Sequence, residues 1–251
     1  MNAFICTLLA GLFSSTAFAG AGASHGTAEV FEKGEWEVGL YAPLRRGMGK
    51  GIELSIHPLV AIRSPHIALK KAWNTDGEWR IATRHSLMHP TPLLRSLARE
   101  GTGGIIVADA VIPPIVASDN RFIASHDLGE SSTISVSARV MLGVEFGESS
   151  WPSIDMPLSY TRTAAYRDGV ATALGAQLDG KVVGTLHYRV DVDGWVLPNS
   201  EAQWASEVKS TLHWRPTDGF TAQAGATAVV AEYPYGNNWH VLPAFDLIFR
   251  W

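Results

Sequence analysis

The chain has 251 residues, of which 46% are hydrophobic, 10% aromatic and only 18% charged, with a formal net charge of −4. At roughly 100–200 residues per domain, and about 250 for a barrel, this length permits one closed sheet. The composition excludes a disordered chain, and the absence of a basic excess leaves no electrostatic footprint for nucleic acid.

Residues 1–19, MNAFICTLLAGLFSSTAFA, hold an apolar run from Phe4 to Phe13 followed by Ala17-Phe18-Ala19. A short apolar run ending in an A-x-A site predicts a secretory signal peptide, since the run is too short to span a bilayer as a helix. Cys6, the only cysteine, lies inside it, so the exported chain is expected to form no intramolecular disulfide and no thiolate metal site. Residues 20–35 are expected to be a periplasmic N-terminal segment, and 36–251 a single barrel domain.

No later stretch approaches 18 consecutive apolar residues; strict alternation takes its place. Strands are expected at Trp36–Ala42, Ile52–Pro58, Ile67–Trp73, Trp79–Leu87 and Phe122–Leu128, then at Thr133–Phe146, Met156–Tyr166, Val170–Leu178 and Lys181–Asp193. The last three are Ala202–Arg215, Phe220–Val230 and Trp239–Trp251. Hairpin turns are signalled at Asn74–Gly77, Arg167–Gly169, Asp179–Gly180 and Pro216–Gly219. Residues 88–119 interrupt the pattern. Thr91–Glu100 has Leu93, Leu94, Leu97 and Ala98 at helical spacing, with Thr91 as a cap and Gly101 as a stop, so this region reads as a long connection that either packs against the rim or enters the lumen as a plug.

The final strand has one wholly apolar parity, Trp239, Val241, Pro243, Phe245, Leu247, Phe249 and Trp251. It resembles the C-terminal strand of Gram-negative outer-membrane β-barrels, whose terminal aromatic and alternating hydrophobics are read by the barrel assembly machinery. Pro243 departs from the pattern and predicts a bulge or an edge-like position. The segments from Glu32 to Leu59 and from Thr91 to Gly104 are also similar to stretches of outer-membrane proteins, a resemblance that implies location and no activity.

The fold expected is all-β: an antiparallel transmembrane β-barrel of about twelve strands with one long, partly helical connection. Trp204 and Trp214 lie ten residues apart on one face, which at about 3.3 Å per residue and a tilt near 45° spans roughly 23 Å, close to the apolar band of about 25 Å. Trp239 and Trp251 bracket another strand in the same way, so these four are the candidate membrane girdle. The opposite parity supplies lumen-facing candidates of mixed sign: Arg139, Arg189, Glu207, Lys209, Arg215, Asp246 and Arg250. They line a water path or pair across the lumen and close it. Lys71 and Arg162 fall on the lipid-facing parity and mark either rim positions or register errors.

Enzymatic motifs are not found. A lipid hydrolase on a barrel exterior needs a serine beside a histidine on one face, but His85 and Ser86 are adjacent and point to opposite faces, as do His126 and Asp127. No G-x-S-x-G elbow exists, and residues 47–51 lack phosphate-loop spacing. Asp191, Asp193 and Glu201 around Gly194 read as an Asp-Gly turn rather than a calcium loop. The expectation is a protein of the cell outer membrane that is not an enzyme, has no cofactor and no metal, and contacts outer-membrane lipid and the assembly machinery. Its function is read as a narrow passive pore for small solutes, against a non-conducting structural or interaction barrel and, third, a lipid-hydrolysing enzyme.

Overall fold

The computed structural model describes residues 26–73 and 76–251; the signal-peptide expectation falls on 1–19, outside the described residues. Twelve antiparallel strands close into a barrel: β1 (Trp36–Gly39), β2 (Leu44–Gly49), β3 (Ile52–Ile56), β4 (His66–Trp73), β5 (Arg80–Met88) and β6 (Ile115–Asp127), followed by β7 (Ser132–Glu145), β8 (Val170–Val183), β9 (Leu186–Val196), β10 (Trp204–Thr217), β11 (Phe220–Tyr233) and β12 (Gly236–Arg250). Every strand pairs with its neighbours in sequence, and β1 joins β12. Among the described residues there are three short helices, α1 (Pro58–Ala61), α2 (Thr91–Leu97) and α3 (Tyr160–Asp168).

The expected strand number is right, but one expected strand is absent and one observed strand was not expected. Leu44–Gly49 forms β2, missed because its Arg45-Arg46-Gly47-Met48-Gly49 run breaks the alternation of side-chain type. Met156–Tyr166 is not a strand, because α3 occupies Tyr160–Asp168. Its residues from Tyr160 to Tyr166 are all buried, so it is surrounded by protein and has no amphipathic stripe to read. Strand β6 begins at Ile115, inside the segment expected to be a connection, and the run before it is irregular. Helix α2 ends at Leu97 instead of Glu100; the Thr91 hydroxyl donates to the Pro113 carbonyl and accepts from the Ile115 amide rather than capping. Gly194 lies within β9, so the expected Asp-Gly turn is absent there.

Chain order fixes two mouths. One, the terminal mouth, gathers the residues before β1, Trp251 and the short turns after β2, β6, β8 and β10; the far mouth gathers 40–43, 57–65, 89–114, 146–169 and 197–203. The wall is uneven: β1–β5 have 4, 6, 5, 8 and 9 residues, whereas β6–β12 have 11 to 15. Strand β1 therefore covers β12 only near its end, pairing Gly39 with Ile248, Val38 with Phe249 and Glu37 with Arg250. On β12 the odd-numbered residues turn their backbone toward β1, as the paired Trp36 and Trp251 amides and carbonyls show. Pro243 is odd and lies beyond the reach of β1, while the register with β11 passes through Ala226↔Pro243 without a shift. The bulge is absent and the edge-like position is present. There the missing amide costs no ladder bond and blunts an exposed edge. Asn238 and Asp246 cap the flanking free amides of Trp239 and Leu247.

Parity follows the sequence reading. Val136, Leu142, Leu174, Leu212, Val241 and Phe249 are exposed on the outside, while Arg139, Arg189, Glu207, Lys209 and Asp246 are buried inside. A continuous apolar exterior of this extent is foreign to a water-soluble barrel. Lys71 sits at the terminal mouth, where its ammonium donates to the Lys50 carbonyl.

Candidate functional site: a filled lumen

At the terminal mouth the chain entering β1 turns into the barrel. Thr27, Ala28 and Phe31 are buried; the Ala28 amide donates to Ser125 Oγ at 2.8 Å and the Phe31 amide to Glu53 Oε2 at 3.2 Å. The Lys70 ammonium donates to the Glu29 carbonyl. Gly47 makes this approach feasible, since a Cβ there would stand 1.8 Å from the Glu32 carbonyl oxygen. Below the Phe31 ring, whose centroid is 4.5 Å from the Arg45 guanidinium, Arg45 is held between Glu37 and Glu53 at 2.9 Å each. Arg250 stands 4.8 Å from the same ring and pairs with Glu35 at 2.8 Å.

Midway along the lumen Arg139 grips Asp119 through Nε at 2.7 Å and a terminal nitrogen at 2.5 Å, with Arg84 3.6 Å from the same carboxylate. Arg121 reaches Asp193 at 3.5 Å, and Arg189 pairs with Asp179. Toward the far mouth two guanidiniums lie over the Trp195 ring, Arg139 at 4.8 Å and Arg162 at 4.6 Å. Arg162 descends from α3 to Glu207, with one bond at 2.9 Å and a shorter one to Oε1. The result is a continuous column, Asp119, Arg139, Trp195, Arg162 and Glu207, along the barrel interior.

The far mouth is closed by an apolar cap. Leu93, Leu94 and Leu97 of α2 pack with Ile106, Ile112, Trp151, Ile154 and Leu158, and this cluster continues into Trp195, Ala205 and Tyr233 of the barrel wall. Helix α3 lies against β7 because Gly143 has no side chain: a Cβ there would meet the Ala165 carbonyl oxygen at 2.4 Å. The Tyr160 hydroxyl donates to the Ala202 carbonyl at 3.1 Å, and burial pushes its phenol above the ordinary range. In the loop before α1, burial holds His57 below the usual imidazole value. It acts as a neutral helix cap, with Nδ1 accepting from the Val60 amide and Nε2 facing the Tyr41 carbonyl at 2.7 Å.

The lumen-facing candidates are distributed as follows. Arg139, Arg189, Glu207, Lys209 and Asp246 are buried in the interior, and Arg215 and Arg250 are half-buried toward the terminal mouth. Asp246 ties the seam by accepting from the Tyr41 and Ala42 amides at 3.0 and 2.8 Å. Sequence parity found the arginines but not their partners. Asp119 and Asp179, the partners of Arg139 and Arg189, were not among the candidates, and Arg162 is an interior residue rather than a lipid-facing one. Among the described residues no cluster of His, Cys, Asp and Glu fits a metal; Asp191 and Asp193 lie on β9 and Glu201 on a loop. The girdle candidates Trp204, Trp214, Trp239 and Trp251 all project outward and are exposed, and Trp251 stacks on Trp36 with ring centroids 6.4 Å apart. One outward cluster was invisible to motif reading: His85 Nδ1 lies 2.8 Å from Asn120 Oδ1, a partner on the next strand.

A closed twelve-stranded antiparallel barrel with an apolar outside and a polar, charge-paired inside is the architecture of outer-membrane β-barrel proteins. No family model matches the chain, and no curated protein matches it. Among solved structures it is similar to a KdgM porin in complex with disordered oligogalacturonate, at 6% identity and a TM-score of 0.44, covering 86% of this chain and 95% of the other. It is also similar to a bacterial polysaccharide outer membrane secretin, at 12% identity and a TM-score of 0.38, covering 86% of this chain and 80% of the other.

Proposed function

We propose that the chain is an integral protein of the cell outer membrane whose barrel is closed to solutes at rest. The observation that carries this reading is the burial of the lumen side chains themselves. In a water-filled pore charged groups on the inner wall are solvated, whereas here Arg45 and Arg189 are 2% exposed, Asp119 1% and Glu207 5%. The residues 27–31 plug one end and the α2–α3 cap the other. The pore reading retains one supporting feature: a polar vestibule of about 460 Å³ at the terminal mouth, lined by Glu29, Asp127, Asp179, Lys181, His187 and Arg215.

Planar-bilayer recording tests the closed reading. The full-length chain, exported and purified, gives no steady current, and deletion of residues 88–117 or of 26–33 gives small, noisy openings. A stable conductance from the unaltered chain overturns it.

Membrane assembly is a further part of this reading. Trp251 closes the seam, its amide and carbonyl both bonded to Trp36. Trp251→Lys is expected to reduce the amount of heat-modifiable barrel in the outer-membrane fraction severalfold while leaving refolding in detergent nearly intact. Equal amounts in the membrane fraction argue against recognition of the C-terminal strand.

A further inference from the structure

The outer surface over β5–β10 is concave. Its groove has a volume of about 900 Å³. Six residues facing one another strand to strand run along it: His85↔Asn120, Asn120↔Val140, Val140↔Thr172, Thr172↔Val196 and Val196↔Trp204. At a strand spacing of about 4.8 Å the row is roughly 24 Å long. It also descends, because Trp204 opens β10 at the far mouth whereas His85 is near the middle of the short β5. Six residues separate His85 from Trp79 at the terminal rim, about 14 Å of height, or roughly half of an apolar band of about 25 Å.

The low end of the groove is polar. His85 is exposed, its Nδ1 facing Asn120 Oδ1 at 2.8 Å, while Asn120 Nδ2 donates to Ser118 Oγ at 3.2 Å. Two strand residues away on the same face, Thr83 Oγ1 accepts from Trp73 Nε1 at 3.1 Å. The amide oxygen only accepts, so an imidazole proton sits on Nδ1, and where hydrocarbon excludes a second proton Nε2 is left as an acceptor. In hydrocarbon an acceptor without a donor is costly, and a charged ring or a charged ligand costs more. The matching occupant is thus apolar along most of its length, neutral, and able to donate one hydrogen bond at mid-membrane depth.

We propose that this groove holds one lipid acyl chain bearing a hydroxyl group, which donates to His85 Nε2 while the chain runs up the row past Asn120 and Val140 toward Thr172 and the far mouth. The proposal rests on the reading of this surface as membrane-facing. Val140 and Val196 supply contact to the chain, and the small side of Gly194 leaves room for it.

The test uses the full-length barrel in detergent, with native mass spectrometry to count bound lipid. One probe is phosphatidylcholine with 12-hydroxyoctadecanoyl chains, and the other is the same lipid with octadecanoyl chains. The wild type is expected to retain one hydroxylated lipid at about three- to tenfold lower lipid concentration than the plain one, the range of one hydrogen bond inside a membrane. His85→Leu, which puts an apolar residue on an apolar face and so preserves folding, removes that preference without reducing plain-lipid binding. Gly194→Trp fills the groove and lowers retention of both lipids. Equal retention of the two probes by the wild type overturns the proposal, as does a preference that survives in His85→Leu. A wild-type dimer that His85→Leu converts to monomer overturns it in favour of a second copy as the occupant. Membrane fractionation is the separate control: a wild-type chain absent from the outer membrane defeats the membrane reading, whatever the groove binds in detergent.

Discussion

Replacing Glu207 by alanine is expected to lower the stability of the barrel by about 3–5 kcal/mol, because it strands the Arg162 guanidinium in a site with no access to water. Arg162 and Glu207 are both almost fully buried, and the remaining partners of Arg162 are the Leu158 carbonyl, the Thr161 hydroxyl and the Trp195 ring, none of which carries a charge to balance it. The loss also reaches the cap, since this pair is what fastens the inner side of α3 to β10. Urea titration of tryptophan fluorescence, read on barrel refolded into lipid vesicles, measures the change. The double substitution Arg162→Leu with Glu207→Leu removes both charges and fills the space with apolar atoms, so it is expected to recover most of the loss; buried pairs exchanged whole for hydrophobic residues are often neutral. If Glu207→Ala costs less than about 1 kcal/mol, the value of an exposed pair, then water reaches Glu207 and the lumen is open.

Val208→Arg is expected to cost about 2–4 kcal/mol and to deplete the protein from the outer-membrane fraction, the penalty of a cation on the lipid face at mid-depth. Val208 projects outward between Trp204 and Trp214 on the same strand. Thr217→Arg, at the terminal end of that strand, is expected to cost no more than about 1 kcal/mol, because there the side chain reaches the interface. The pair of variants separates the two solvents a barrel exterior can meet. In water Val208→Arg is harmless and the two substitutions are equivalent; in lipid their costs differ by the depth of the site. Membrane fractionation and urea unfolding in vesicles read the same comparison independently.

The parity of Ala202–Arg215, Thr133–Phe146 and the last strand was legible in the sequence, because a strand between lipid and a polar interior writes its two surroundings on alternate residues. The same physics made the outward tryptophans and the inward arginines readable from spacing alone, while Pro243, lacking an amide, signalled a bulge or an edge-like position without deciding between them. Where the surroundings are not two-sided the sequence was silent. Strand β2 has no contrast between its faces, and α3 is buried on every side, so the one passed as a loop and the other as a strand. Ion-pair partners were equally invisible. Asp119 meets Arg139 and Arg84 from its neighbouring strands, Arg162 arrives from a helix, and residues 27–31 enter from the terminus, none of which follows from position in the chain. His85 and Asn120 make the same point on the outside, 35 residues apart in sequence and 2.8 Å apart across one strand pair. The sequence by itself determined a sheet of two-faced strands, since period-two patterning is a local property, while its closure and the outward turn of its apolar face are seen in the pairing of distant strands. Whether its lumen is open was decided by tertiary structure alone, because filling a lumen depends on which distant side chains meet across it.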